Sequence, residues 1–256
     1  MLANTRIVLV RPIRPGNVGA ACRAMANMGL RDLVIVSPAC ALDADDALGF
    51  AARGKHILQS ARVVDSIADA LDDCVLTFAA TGKGGLYRKQ ASLDPHAAAQ
   101  LARDRTAAGR VAIAFGPEDR GLLRSEVLDF DHVIEIPADP QYPVLNLAAA
   151  VMVVCYEWRR VAMAAGTAAA GRERPDEPLA DDRLKRVLFE RLFTGLDRIG
   201  FFSRQQTSDH LRFAIRRALG RAALTVIEAD VLIGMASQIH WYVDRQQARE
   251  GSGEGP

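Results

Sequence analysis

Five short apolar runs, at residues 7–10, 33–36, 75–79, 111–115 and 133–136, punctuate the first part of this 256-residue chain. Segments of helical spacing separate them, as with Val18, Cys22, Met25 and Met28 after the first run. Strands that run the same way need a crossover between them. The alternation therefore predicts an α/β fold, a mostly parallel sheet with helices on both faces. In such sheets a ligand sits outside the carboxyl ends of the strands. Chemistry is accordingly sought after Val10, Ala79, Phe115 and Ile136.

Each of these places is unusual. After Val10 the chain reads R-P-I-R-P-G-N-V-G-A-A-C-R, with Gly16 and Gly19 at a helix start whose amides favour an anion, and Arg23 further along the helix. A tight turn before a helix accounts for the two glycines nearly as well. Neither G-x-G-x-x-G nor G-K-[ST] is present, so no dinucleotide or P-loop fingerprint applies. After Ala79 comes A-T-G-K-G-G-L-Y-R-K, where glycines permit close backbone approach and Lys83 and Arg88 suit phosphate contacts. A solvated loop is the alternative. After Phe115, G-P-E-D-R-G-L sets Glu118 at a strand end.

The fourth place is the most constrained. Pro137, Pro140 and Pro143 forbid regular structure in the loop, because each fixes φ and removes a backbone donor. From Leu145 onward the chain is apolar nearly all round, which predicts a buried helix. Asn146 stands where the stiff loop enters that helix, and on spacing alone it is an N-cap-like residue.

Residues 165–182 lose periodicity and collect Ala, Gly, Pro and charge, the signature of a linker. Three helical patterns follow over 183–249, the first stopped by Gly200 and the third opened by the capping box Thr225-Val-Ile-Glu228. The tail, 250–256, is small and polar and reads as disordered. Residues 183–221 hold ten Lys/Arg against three Asp/Glu, an excess of seven positives on a chain of net charge +1. Arg212, Arg216 and Arg217 fall close together there, which favours nucleic-acid contact over a merely solvated face. Four scattered cysteines, with no C-x-x-C, argue against structural zinc and fit reduced thiols. The start is too short and polar for a signal peptide, and no apolar run is long enough to span a bilayer. A soluble cytoplasmic protein is expected.

Three motifs carry a resemblance: R-P-G-N-V-G-A-A-C-R-A-M-A-N-M-G from Arg14, F-G-P-E-D-R-G-L from Phe115, and I-P-A-D-P-Q-Y-P-V-L-N-L-A-A-A-V from Ile136. In order and spacing they resemble the SPOUT superfamily of RNA methyltransferases, in its TrmH/TrmJ branch, which includes tRNA (cytidine/uridine-2′-O-)-methyltransferases. The helical part resembles that branch too, in G-F-F at Gly200 and I-R-R-A-L-G-R-A-A-L-T from Ile215. The resemblance implies a methyltransferase domain over 1–164 with a deep trefoil knot, a basic helical RNA-binding extension over 183–249, a homodimer through the knot domain, and S-adenosylmethionine (SAM) as cofactor; the sequence itself calls for no metal. By motif, SAM lies against Ala80, Thr81, Gly82, Gly116, Ile136, Val144 and Leu145. Asn17, Arg23, Glu118 and Asn146 surround the methyl group and the incoming ribose, and Arg14 joins Lys83, Arg88, Arg212, Arg216 and Arg217 on the RNA.

The implied reaction is methyl transfer from a sulfonium to a ribose 2′-hydroxyl, which must be aligned and relieved of its proton. Arg23 stays protonated, so its role is to clamp the target phosphate and polarise the hydroxyl rather than to act as a base. Asn17 and Asn146 orient the hydroxyl and the loops, and Glu118 holds the knot geometry or Arg23. The chain departs from the family in reading Pro143-Val144-Leu145-Asn146 where Ser-Ser-Leu-Asn is usual, Gly82-Lys83 where Ala-Arg often follows Thr81, and Arg14 where histidine is common. Val144 supports an alternative, a weak or inactive SAM- and RNA-binding homologue. A nicotinamide-dependent oxidoreductase rests on the parallel sheet alone, and fold analogy is a poor warrant.

Overall fold

The apolar runs become neighbouring strands because their side chains are buried on both faces of one sheet. The structure is a computed structural model that describes residues 1–82, 92–166, 177–202 and 208–251. The chain divides into two compact units, Met1–Pro175 and Asp176–Pro256. Among the described residues no helix is long and apolar enough to cross a membrane.

In the first unit the order is β1 (Thr5–Val10), α1 (Pro15–Met28), β2 (Asp32–Val36), α2 (Asp45–Ala51), α3 (Lys55–Gln59), β3 (Arg62–Val64), α4 (Ile67–Leu71), β4 (Cys74–Ala80), α5 (Pro95–Arg105), β5 (Arg110–Phe115), α6 (Arg124–Val127), β6 (His132–Ile134) and α7 (Leu147–Gly166). The sheet order is β3-β2-β1-β5-β4-β6, and every pairing is parallel. Strand direction alternates side chains between two cores. Ile7, Leu9, Ile35, Phe78 and Ile113 meet α1, α5 and α7 on one side, while Val8, Val10, Val34, Ala79, Ala112 and Ala114 meet Leu71, Val127 and Phe130 on the other. Each fully buried Phe or Leu contributes about 1.5–3 kcal/mol. Helix α7 drives Val151, Val154, Cys155 and Trp158 into the first core, Trp158 edge-on to Phe78 at 5.9 Å.

Two boundaries differ from the sequence reading. β3 was not expected: it has three residues, mostly exposed, at the sheet edge, too short to show a period. β6 stops at Ile134 rather than Ile136. At the amino ends of the strands, away from the expected site, buried Arg6 donates to Asp32 at 3.1 Å, to Asp73 at 2.7 Å and to the Ala70 carbonyl at 2.8 Å. Arg110 reinforces the same two carboxylates.

The second unit contains α8 (Asp182–Arg198), α9 (Ser208–Ala222) and α10 (Val226–Gly251). Asp181 caps α8 by accepting from the Leu184 amide at 2.9 Å, and Gly200 ends it at φ +72°. The capping box forms as spaced, the Thr225 amide donating to Glu228 at 2.8 Å and the Glu228 amide to the Thr225 hydroxyl at 3.2 Å. Ala180, Leu188, Leu224 and Ala229 form the small core.

Candidate active site

In the sheet order the chain runs from β1 outward to β3, then returns to β4 and β5 on the other side. The loops after β1 and β5 therefore diverge from adjacent strands, the crevice where α/β sheets bind ligands. Leu9 is level with Phe115, and Phe115 with Ala80 and Ile134 through the neighbouring pairs, so four strand ends open on one place. The Thr81 amide donates to the Ile134 carbonyl at 3.0 Å and fixes the β4 end against β6.

A pocket with about 900 Å³ of space, part of it open to solvent, lies at these ends. Ala80, Thr81, Gly82, Gly116, Ile136, Val144 and Leu145 all line it, so the seven residues marked for the cofactor share one cavity. Gly116 is there for backbone reasons. A Cβ on it would fall 2.1 Å from the Leu122 amide nitrogen, so any side chain would force the turn after β5 apart. Val144 is 51% exposed beside this cavity. Pattern reading missed Asp119, Arg120 and Leu122 on the wall, since nothing in a short loop's composition says which way it folds back.

Beside the pocket, three of the four residues marked for catalysis are joined in series. Glu118 accepts from the Ile13 amide at 2.9 Å, from the Arg14 amide at 3.2 Å and from Asn17 Nδ2 at 2.8 Å. Asn17 Oδ1 accepts from Asn146 Nδ2 at 3.0 Å, and Asn146 Oδ1 accepts from the Ala148 amide at 2.9 Å. Asn146 is thus the N-cap of α7, as its spacing suggests, and also a partner of Asn17, which only the fold reveals. Burial pulls the Glu118 carboxyl up, but the bonds from Asn17 and from backbone amides outweigh it and hold the group below its ordinary value. Burial, and then the Glu118 charge, raises the nearby Cys40 thiol. Arg11, at φ 48°, pairs with Glu126 at 2.5 Å and ties the β1 loop to α6.

Two expectations change. The anion at the start of α1 is the protein's own Glu118. Gly19 is neither a turn nor a phosphate cradle: its absent Cβ is replaced by α2, with the Ala47 carbonyl oxygen 2.1 Å from where that atom would be. Gly16 likewise faces the Phe50 ring.

The fourth residue, Arg23, stands apart. It is exposed on α1, does not line the pocket and has no hydrogen bond or ion pair among the described residues, and Arg14 is exposed in the same way. Lys83 and Arg88 lie outside the described residues. The three α9 arginines do not form the open cationic face expected of them. Arg212 lies 4.4 Å over Phe202 and pairs with Asp197, Arg216 lies 4.6 Å over Phe189, and buried Arg217 lies 6.0 Å over Phe213. No group of three or more His, Cys, Asp or Glu is placed to hold a metal among the described residues.

Comparison with known proteins agrees with this layout. Residues 4–156 match the SpoU rRNA Methylase family. The tRNA (cytidine/uridine/adenosine-2′-O-)-methyltransferase TrmJ of Pseudomonas aeruginosa is 35% identical over 246 residues, 93% of this chain and 94% of the relative. The tRNA (cytidine/uridine-2′-O-)-methyltransferase TrmJ of Cronobacter sakazakii is 33% identical over 93% of this chain and 97% of the relative. The crystal structure of TrmJ from Z. mobilis ZM4 superposes with a TM-score of 0.76 at 31% identity, over 93% of this chain and all of that one. The chain belongs to the SpoU rRNA methylase family.

Proposed function

We propose that this protein is a SAM-dependent RNA 2′-O-ribose methyltransferase that acts on tRNA, with an anticodon-loop cytidine or uridine as its target. The observation that carries the reading is the meeting of one pocket and one hydrogen-bonded series, Glu118–Asn17–Asn146, at the strand ends. The pocket's apolar wall of Ile134, Ile136, Leu145 and Leu147 suits an adenine ring, and its strand-end backbone groups suit the polar atoms of a nucleoside. SAM supplies an electrophilic methyl group. Asn17 and Asn146 hold the loops in register so that the 2′-hydroxyl is met at a fixed angle. Glu118, kept ionised, fixes the first loop through the Ile13 and Arg14 amides. Arg23 clamps the phosphate of the target nucleotide and draws charge from the attacking oxygen, a task that suits a guanidinium exposed and unpaired among the described residues.

The remaining assignments follow the family. The chain beyond residue 136 threads a deep trefoil knot, an exception to the usual rule against knots. Residues 1–164 form the methyltransferase domain and a homodimer, residues 165–182 link it to the RNA-binding part, and the protein works in the cytoplasm. Incubation with labelled SAM and bulk tRNA, then nucleoside mass spectrometry, tests the reading. A 2′-O-methylated cytidine or uridine is expected. Absence of any 2′-O-methyl nucleoside would sink it.

A further inference from the structure

Phe50, Tyr142 and Tyr156 are the exposed aromatic side chains among the described residues of the first unit, and two of them have a use within the fold. The Phe50 ring covers the start of α1, where a Cβ on Gly16 would lie 3.2 Å from it, and the Arg160 guanidinium lies 5.8 Å over Tyr156. Tyr142 has no such use. At 82% it is the most exposed large hydrophobic side chain among the described residues, and neither its ring nor its phenol has a partner there. A ring left in water adds almost nothing to the stability of the fold.

The backbone beneath that ring is nevertheless tightly held. Pro143 restricts Tyr142 itself, as proline does the residue before it, and Pro140 stiffens the other side. The Gln141 amide donates to Asp139 Oδ1 at 2.7 Å, and the Tyr142 amide donates to the Asp139 carbonyl at 2.9 Å. The residues that follow face two ways. Pro143, Val144 and Leu145 line the pocket, and Tyr142 does not. The end of β4 packs close by, with the Pro143 carbonyl oxygen 3.5 Å and the Val144 Cα 3.6 Å from where a Gly82 Cβ would be. Asn146, four residues after Tyr142, is the member of the hydrogen-bonded series that donates to Asn17 at 3.0 Å. Four residues span at most about 14 Å. A rigidly mounted, uncovered ring thus stands outside the cofactor pocket and close to the groups set to meet a ribose.

We propose that the Tyr142 ring is the platform on which the base of the target nucleotide stacks, a role that rests on the methyltransferase reading. The base is joined to the ribose carbon next to the one that bears the 2′-hydroxyl. A hydroxyl held at Asn17 and Asn146 therefore brings its own base beside this loop. A base drawn out of a folded RNA loses the stacking of its neighbours, and an aromatic side chain restores it. Every base has a π-face, so the ring takes cytidine and uridine alike and leaves the choice between them to groups that meet the base edge.

The test uses the full chain and full-length tRNA assembled by ligation, either intact or lacking only the base of the nucleotide that the unmodified chain methylates. Tyr142→Ala should raise KM for intact tRNA at least about fivefold with kcat kept, because a stack made on binding persists through the reaction. Tyr142→Phe, which keeps the ring, should stay within about twofold of the unmodified chain. SAM affinity by calorimetry should be unchanged in both variants. On the tRNA without the base, the unmodified chain should fall to the level that Tyr142→Ala shows on intact tRNA, and Tyr142→Ala should fall no further. A role confined to loop shape would add its loss to that of the missing base, and this result overturns the proposal. So does a loss of SAM affinity, which would assign the ring to the cofactor. Failure of the unmodified chain to methylate intact tRNA removes the activity and this role together, whereas methylation that Tyr142→Ala leaves unimpaired removes the role alone.

Discussion

Arginines in the two units meet different fates. Arg14, just before α1, and Arg23, on it, are exposed, and neither guanidinium has a hydrogen bond or ion pair among the described residues. On α9, Arg212, Arg216 and Arg217 lie over Phe202, Phe189 and Phe213. Yet the α9 region carries the marked excess of positive charge, while the first unit does not. A count of charges says what a segment holds, and only the fold says whether the charge faces outward. Guanidinium groups readily cover aromatic faces, so much of that excess consolidates the helical unit. The guanidinium groups of Arg14 and Arg23, by contrast, are open to a ligand.

The sharpest way to break this contrast is Arg23→Ala. If a free α1 arginine serves the reaction, kcat should fall by about 100-fold or more, with SAM affinity by calorimetry unchanged. Retained methyl transfer would erase the difference between the two sets. Next in size is Phe189→Ala, which removes a ring that is 2% exposed and lies under the Arg216 guanidinium. A loss of about 3–5 kcal/mol is expected, read in urea unfolding as an earlier loss of helical signal.

A direct comparison pairs Arg14→Ala with Arg216→Ala. Arg14→Ala should weaken tRNA binding a few-fold and lower the salt slope by about 1, without moving the unfolding midpoint. Arg216→Ala should lower the midpoint and leave the salt slope in place. The opposite pattern would return α9 to the RNA.

Glu118 offers a smaller effect, legible in pH. Its folded-state pKa is lowered, so its stabilising contribution is complete above the ordinary carboxylate value near about 4.3 and is lost as pH falls through the lowered one. The unmodified chain should lose more stability than Glu118→Gln on going from about pH 5 to about pH 3, by urea midpoints at each pH. Least of all, Cys22 and Cys155, whose thiols burial raises to about 12, should resist thiol reagents at neutral pH until the chain unfolds.

These contrasts mark where sequence reading succeeds. The apolar runs located five of six strands, because a strand buried on both faces leaves a continuous local signature. Strand ends then directed attention to Gly82, Gly116, Glu118 and Asn146, and all four came to one place. What stayed hidden depends on partners far away in the chain. Gly19 is explained by α2, Asn146 by Asn17, and the α9 arginines by rings on α8 and beyond it. Short edge strand β3 was invisible because three mostly exposed residues hold no period.

The series from Glu118 to α7 behaves like a circuit with a fixed polarity. An ionised carboxylate only accepts, so Asn17 must turn its NH2 toward Glu118 and its oxygen toward Asn146. Asn146 must then offer its own oxygen to the Ala148 amide. Every amide along the line is oriented by one negative charge, and the first turn of α7 is wired to the ionisation of a residue on another loop. Aspartate in place of either asparagine would set oxygen against oxygen and cut the line at that link.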